Sequence, residues 1–150
     1  MDQILYAIKS IKEIEFFVDE SKDLEESIDF FHNANIHSNV ESEEIRITIS
    51  AHYRKTGSTD DYFRSKTATV FTIQRMKELV FVSEGKESIN LPDPLWVTLY
   101  GVSFSHARAM LARSIAGTKY SPMIMPLINP EEQFKRLFSS ELNQNKGTEQ

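Results

Sequence analysis

Four histidines, 22 carboxylates and no cysteine are the groups that could do chemistry in this chain. Without cysteine there is no disulfide, no zinc thiolate site and no thiol chemistry. His32 and His37 stand five apart in a polar stretch and could make half of a metal site. No matched histidine and carboxylate pair stands nearby at zinc's usual spacings, so both read as solvated loop residues. His52 reads as a surface residue on the wet face of a strand, and His106 as a helix residue satisfied by packing or a hydrogen bond. Gly85-Lys86-Glu87-Ser88 fails as a phosphate loop, because Val80 stands where the first glycine must be and Glu87 where Ser or Thr must follow the lysine. No G-x-S-x-G elbow occurs. The pairs Asp60-Asp61 and Glu43-Glu44 sit in turns, where solvation is the default. No catalytic constellation forms, so the reading is a protein that is not an enzyme, with no cofactor and no metal.

The elements that would carry other functions follow from composition and period. The 150 residues suit a single domain, read as 1–142, with 143–150 a disordered polar tail. Net charge is −5, and the stretch from Asp19 to Glu44 holds nine carboxylates against Lys22 alone. The remainder is near neutral, no strongly basic face emerges, and general nucleic-acid binding is not expected. The first residues, MDQILYAIKSIKEIEF, are neither a signal peptide nor a transit sequence, which points to the cytoplasm.

Residues 5–18 read as a long strand bent near Ser10, with Ile14, Phe16 and Val18 on one face and Glu13, Glu15 and Phe17 on the other. The acidic stretch 19–44 reads as a connector, in which the spacing of Leu24, Ile28 and Phe31 allows a short helix. In 44–53 strict alternation sets Ile45, Ile47, Ile49, Ala51 and Tyr53 opposite Arg46, Thr48, Ser50 and His52, the mark of an antiparallel strand with one wet face. KTGSTDD is a turn and 62–73 the returning strand, while LVFVS at 79–83 is a shorter strand or the start of a helix. Asp93-Pro94 reads as a helix cap followed by proline, opening a helix that runs to Gly117. The helix is not a membrane span, since its uncharged stretch ends at His106. It is rich in small residues that permit close packing, and Ser103, Ala107, Met110, Leu111 and Ser114 are its candidate association face. Asn129-Pro130 caps a second helix with an apolar stripe of Phe134, Leu137, Phe138 and Leu142.

Between the helices stands PMIMPLINP (122–130), too apolar for a surface loop and too rich in proline for a strand or helix interior. It reads as an extended connector packed along the sheet or the first helix. Ten Phe, five Tyr and Trp96 exceed what such a small sheet needs, so an oligomer interface or a groove for another polypeptide is expected.

These residues converge on a family. VFTI at 70–73, SHARAMLARSIAGT, MPLINPEEQFKRLF and IKSIKEIEFF resemble, in order, a strand end, the long helix, the connector with the last helix, and the first strand of the SecB export chaperones. The resemblance implies an α+β fold: a four-stranded antiparallel sheet with a long helix and a shorter C-terminal helix on one face, assembled as a homotetrameric dimer of dimers. It implies an ATP-independent holdase for unfolded polypeptides. The client-groove candidates are then Phe63, Phe71, Trp96, Tyr100, Tyr120, Met123, Ile124 and Met125. Glu13 is the candidate contact for a SecA-type translocase motor. Against that last partner, Arg64 or Lys66 falls where the third strand should be acidic, and NQNKGTEQ carries no recognisable translocase-binding pattern. Holding is therefore favoured over handover for export, and the alternative is a module of the same fold dedicated to one partner such as an antitoxin.

Overall fold

The computed structural model describes residues 3–24 and 27–145, with side chains described as far as Phe138. The alternation read in 44–53 is realised in full. Ile45, Ile47 and Ile49 are completely buried, while Arg46, Thr48, Ser50 and His52 turn to the opposite face. This strand, β3 (Glu44–Lys55), turns at Gly57, whose φ of 80° an L side chain rarely adopts. It returns antiparallel as β4 (Asp61–Ile73). Strand β1 (Tyr6–Val18) pairs with the far side of β4 and β2 (Ile28–Asn39) with the far side of β3, giving the order β1-β4-β3-β2. With helices α1 (Asp93–Ile115) and α2 (Pro130–Asn145), the α+β fold class is as expected.

The fourth strand lies elsewhere than the sequence suggested. Much of the acidic connector 19–44 is β2, with no helix at Ile28 or Phe31. A spacing of three and four residues fits a helix, but the period of two through Phe30, His32, Ala34 and Ile36 pairs one for one with β3 and half-buries that row. Residues 80–83 are β5 and join β6 (Lys86–Ile89) in a separate hairpin closed by Gly85 at φ 77°.

Helix limits also shift. Asp93 is the first helical residue of α1 rather than its cap, the cap position falling on Pro92 with no side-chain bond. The helix closes at Ile115, two residues before Gly117. For α2 the expectation holds: the Asn129 side chain accepts hydrogen bonds from the backbone N–H groups of Glu131 and Glu132 at 3.1 and 3.3 Å. The helix reaches Asn145, so 143–145 are not part of a disordered tail, and 146–150 lie outside the described residues. The stripe keeps Phe134 and Phe138 buried and Leu137 partly so; the side chain of Leu142 lies outside the described set.

Helix α1 crosses the sheet obliquely. The Tyr100 hydroxyl lies 3.4 Å from His32 Nε2 on β2, His106 Nδ1 shares a 3.0 Å hydrogen bond with Thr69 Oγ1 on β4, and Ser114 Oγ donates to Glu13 Oε1 on β1 at 2.6 Å. An aromatic file of Phe30, Tyr53, Phe63 and Tyr120 closes the opposite corner, with successive ring centroids 4.9, 4.6 and 5.2 Å apart.

Candidate functional site

Strand β1 is an edge with a mistimed alternation. Bulges between Ile8 and Ser10 and between Glu13 and Glu15 re-phase the strand twice. Paired residues share a face, so Tyr6, Ile8, Ile11, Glu13, Phe16 and Val18 all fall on the helix side, opposite Ile73, Phe71, Thr69, Thr67, Ser65 and Phe63 of β4. Because α1 reaches β1 only near Glu13, most of this apolar row stays open. Tyr6, Ile8, Ile11 and Phe16 are 45%, 49%, 40% and 36% exposed, and the bulged Ile14 is 57% exposed. Leu5 and Tyr6 also line a shallow cleft of about 370 Å³ with Ile73 and Gln74. Among the described residues β1 pairs through β4 alone, so its other backbone edge is free over the strand's length.

A second open apolar surface is the connector 122–130. Met125 is buried and Met123 and Ile128 are partly so, whereas Ile124 and Leu127 are 62% and 85% exposed. It leaves α1 through turns, Met123 N–H donating to Tyr120 O and Ile124 N–H to Pro122 O, and packs on the core through Met123, Met125 and Ile128. Beside its end, Gly101 of α1 meets α2 so closely that a Cβ there would stand 3.2 Å from Pro130 Cβ and Cγ. An open groove of about 580 Å³ follows, lined by Val97, Thr98, Val102, Ser105 and His106.

Several site residues anticipated from sequence lie elsewhere. Phe63, Phe71, Tyr100, Tyr120 and Met125 are core, each at most 3% exposed, and offer a client no surface. Burial also pushes the Tyr100 hydroxyl up to about 12. Trp96 and Met123 are half-buried, and Ile124 alone of that group is open. On α1, Ser103, Ala107 and Leu111 are buried within the chain's own core, so they serve its internal packing rather than association. Met110 is half-buried, and Ser114 is held by Glu13. The small residues that α1 turns outward are Ser105 and Ala109. Sequence reasoning missed the β1 row, whose signal was the run Tyr6, Ile8, Ile11, Ile14 and Phe16, because unseen bulges broke its period.

Among the described residues no helix covers the outer face of the sheet. Register places Phe17, Arg64, His52 and Phe31 in one row across all four strands. Asp61, only 8% exposed, organises it: His52 Nδ1 donates to Oδ2 at 3.0 Å, Arg54 Nε to Oδ1 at 2.5 Å, and an Arg64 amine to Oδ2 at 3.4 Å. Burial opposes the charge of Asp61, but the His52 and Arg54 bonds outweigh it and hold the carboxyl below its ordinary range. The guanidinium of Arg64 lies 4.4 Å from the Phe17 ring centroid and that of Arg54 5.5 Å from Phe31. Glu15 pairs with Arg64 and Lys66 at 3.0 and 3.5 Å, and the Arg64 bond lowers its pKa. Six cations (Lys9, Lys12, Arg46, Arg54, Arg64, Lys66) share this face with four carboxylates (Glu15, Asp29, Glu44, Asp61). Glu13, the expected translocase contact, is instead turned to the helix side, with Oε2 buried and without a partner. His32 and His37 sit in β2, not a loop, on opposite faces of the sheet, so they do not share an ion.

No family model and no curated protein matches the chain. Among solved structures it is similar to a SecB-like chaperone from Mycobacterium tuberculosis in complex with a ChAD peptide from an antitoxin. The TM-score is 0.54 at 12% identity, over 83% of this chain and 90% of that one. The chain thus has a SecB-like fold.

Proposed function

We propose that this protein is a passive polypeptide holder: it binds non-native or extended segments of other chains without nucleotide and without chemistry on them. The observation that carries the reading is β1, an edge strand with free backbone groups along one side and a row of exposed apolar side chains beside them. An extended client added to such an edge gains main-chain hydrogen bonds whatever its sequence, and alternate apolar side chains supply the rest. Ile124 and Leu127 offer a second weak subsite, and several weak subsites hold a long client more tightly than any one alone. The SecB-like fold supports the same reading.

A dedicated rather than general client range is the second reading. It is favoured by the structural neighbour, which carries an antitoxin peptide. Assembly into a homo-oligomer through the outward small residues of α1, and residence in the cytoplasm, belong to the proposal. Handover to a translocase does not, since Glu13 is turned inward and Arg64 and Lys66 stand on the outer face.

The test is suppression of light scattering from a denatured protein diluted into the folded, sized chain without nucleotide. Suppression that is lost with Ile8→Asp plus Ile11→Asp, at unchanged thermal stability, supports the reading. No suppression of a general client, together with tight capture of one peptide, turns the conclusion to the single-partner module. Neither activity rejects both.

A further inference from the structure

The chain is acidic overall, yet its one helix-free sheet face carries more cations than carboxylates. We propose that this outer face is a second docking surface, separate from the β1 edge, for an acidic polypeptide segment that also carries apolar side chains. Three features select that partner. Arg54 and Arg64 are fixed in place by Asp61 and packed on Phe31 and Phe17, so little side-chain entropy is lost when a carboxylate meets their remaining donors. Lys12 and Arg46, further along the same face, form no ion pair among the described residues; Glu44 feels the charge of Arg46 but is itself bonded to Lys9, which leaves the donors of both cations open to a carboxylate. Phe17 and Phe31, 37% and 49% exposed at the two sheet edges, give an apolar residue of the same segment something to pack on.

A nucleic acid fits less well. Its affinity rests on neutralising many phosphates, whereas the carboxylates of Glu15 and Asp29 border this face and the net charge of −5 repels a polyanion at long range. A short acidic segment needs only the few cations present.

The full chain would be titrated with a short fluorescein-labelled peptide of alternating glutamate and leucine, its lysine-for-glutamate counterpart, and a single-stranded oligouridylate. The expected result is tighter binding of the glutamate peptide than of its lysine counterpart, the excess vanishing as salt screens the charges. Arg46→Glu, on β3 and away from the β1 edge, should weaken it about fivefold, as one reversed surface charge implies, while leaving suppression of client aggregation unchanged. Equal binding of both peptides would show only the apolar β1 edge at work and overturn the proposal. Preference for the oligouridylate, or a glutamate-peptide affinity that Arg46→Glu leaves intact, would overturn it too. Because Arg46 is an exposed cation outside any ion pair among the described residues, a normal circular dichroism spectrum is expected. Chemical-shift mapping of the wild-type chain, with changes on the outer face rather than at Tyr6–Phe16, reads the same answer without any variant.

Discussion

Ser114 on α1 donates a 2.6 Å hydrogen bond to Glu13 on β1, the point at which the long helix is tied to the edge strand. The other carboxylate oxygen, Oε2, is buried with no partner, as are Ser65 Oγ and Thr67 Oγ1 on the neighbouring strand. A polar seam therefore runs beneath the C-terminal half of α1, and beyond it the apolar row of β1 lies open. With Ser114→Ala, Glu13 loses its hydrogen-bond donor from α1. A stability loss of about 1 kcal/mol is expected by urea unfolding, the gain in helix propensity offsetting part of the cost. Glu13→Gln, which keeps an acceptor for the Ser114 hydroxyl, should cost less.

Gly101 sets the approach of the two helices. Gly101→Ala gains roughly 1 kcal/mol of helix propensity but must displace Pro130 by a few tenths of an ångström, so its melting temperature should stay near that of the parent. Gly101→Leu gains nearly as much propensity but forces three further carbons into the same gap. It should lose about 2 kcal/mol by overpacking, with α2 released first in hydrogen exchange.

Asp61 anchors His52, Arg54 and Arg64 at once. Asp61→Asn removes the charge and one acceptor and leaves the guanidinium groups of Arg54 and Arg64 without it between them, for an expected loss of about 2 kcal/mol by denaturant unfolding. The stabilisation from Asp61, whose pKa is held below 3.8, should be complete above that value and fade as pH falls through the folded pKa.

His32 and His106 are both lowered from 6.5, chiefly by burial, and for His32 also by the charge of Arg136. The unfolded chain therefore takes up a proton before the folded one does. Stability is full above 6.5 and falls as pH drops below it, a window separate from that of Asp61. Urea midpoints measured at about pH 7.5 and about pH 5.5 should differ in that direction. His106→Gln, which can still hydrogen-bond to Thr69, should flatten the slope without abolishing folding.

Local period was enough for some of this protein. The strict alternation of β3 fixed which of its residues are buried, and Asn129-Pro130 announced the start of α2, because strand pleat and helix capping are short-range geometry. The proline-rich connector was likewise legible, since proline forbids the alternatives. Three things were decided only by the folded chain. Strand β2 emerged from a stretch whose spacing also suits a helix, because one-for-one pairing with β3 outweighs weak local preference. Two bulges turned Glu13 inward and gathered Tyr6, Ile8, Ile11 and Phe16 on one side, and a bulge leaves no mark in a period count. The oblique path of α1 then determined exposure: it sealed Phe63, Phe71 and Tyr100 and left the β1 row open, a choice made by packing between elements distant in sequence.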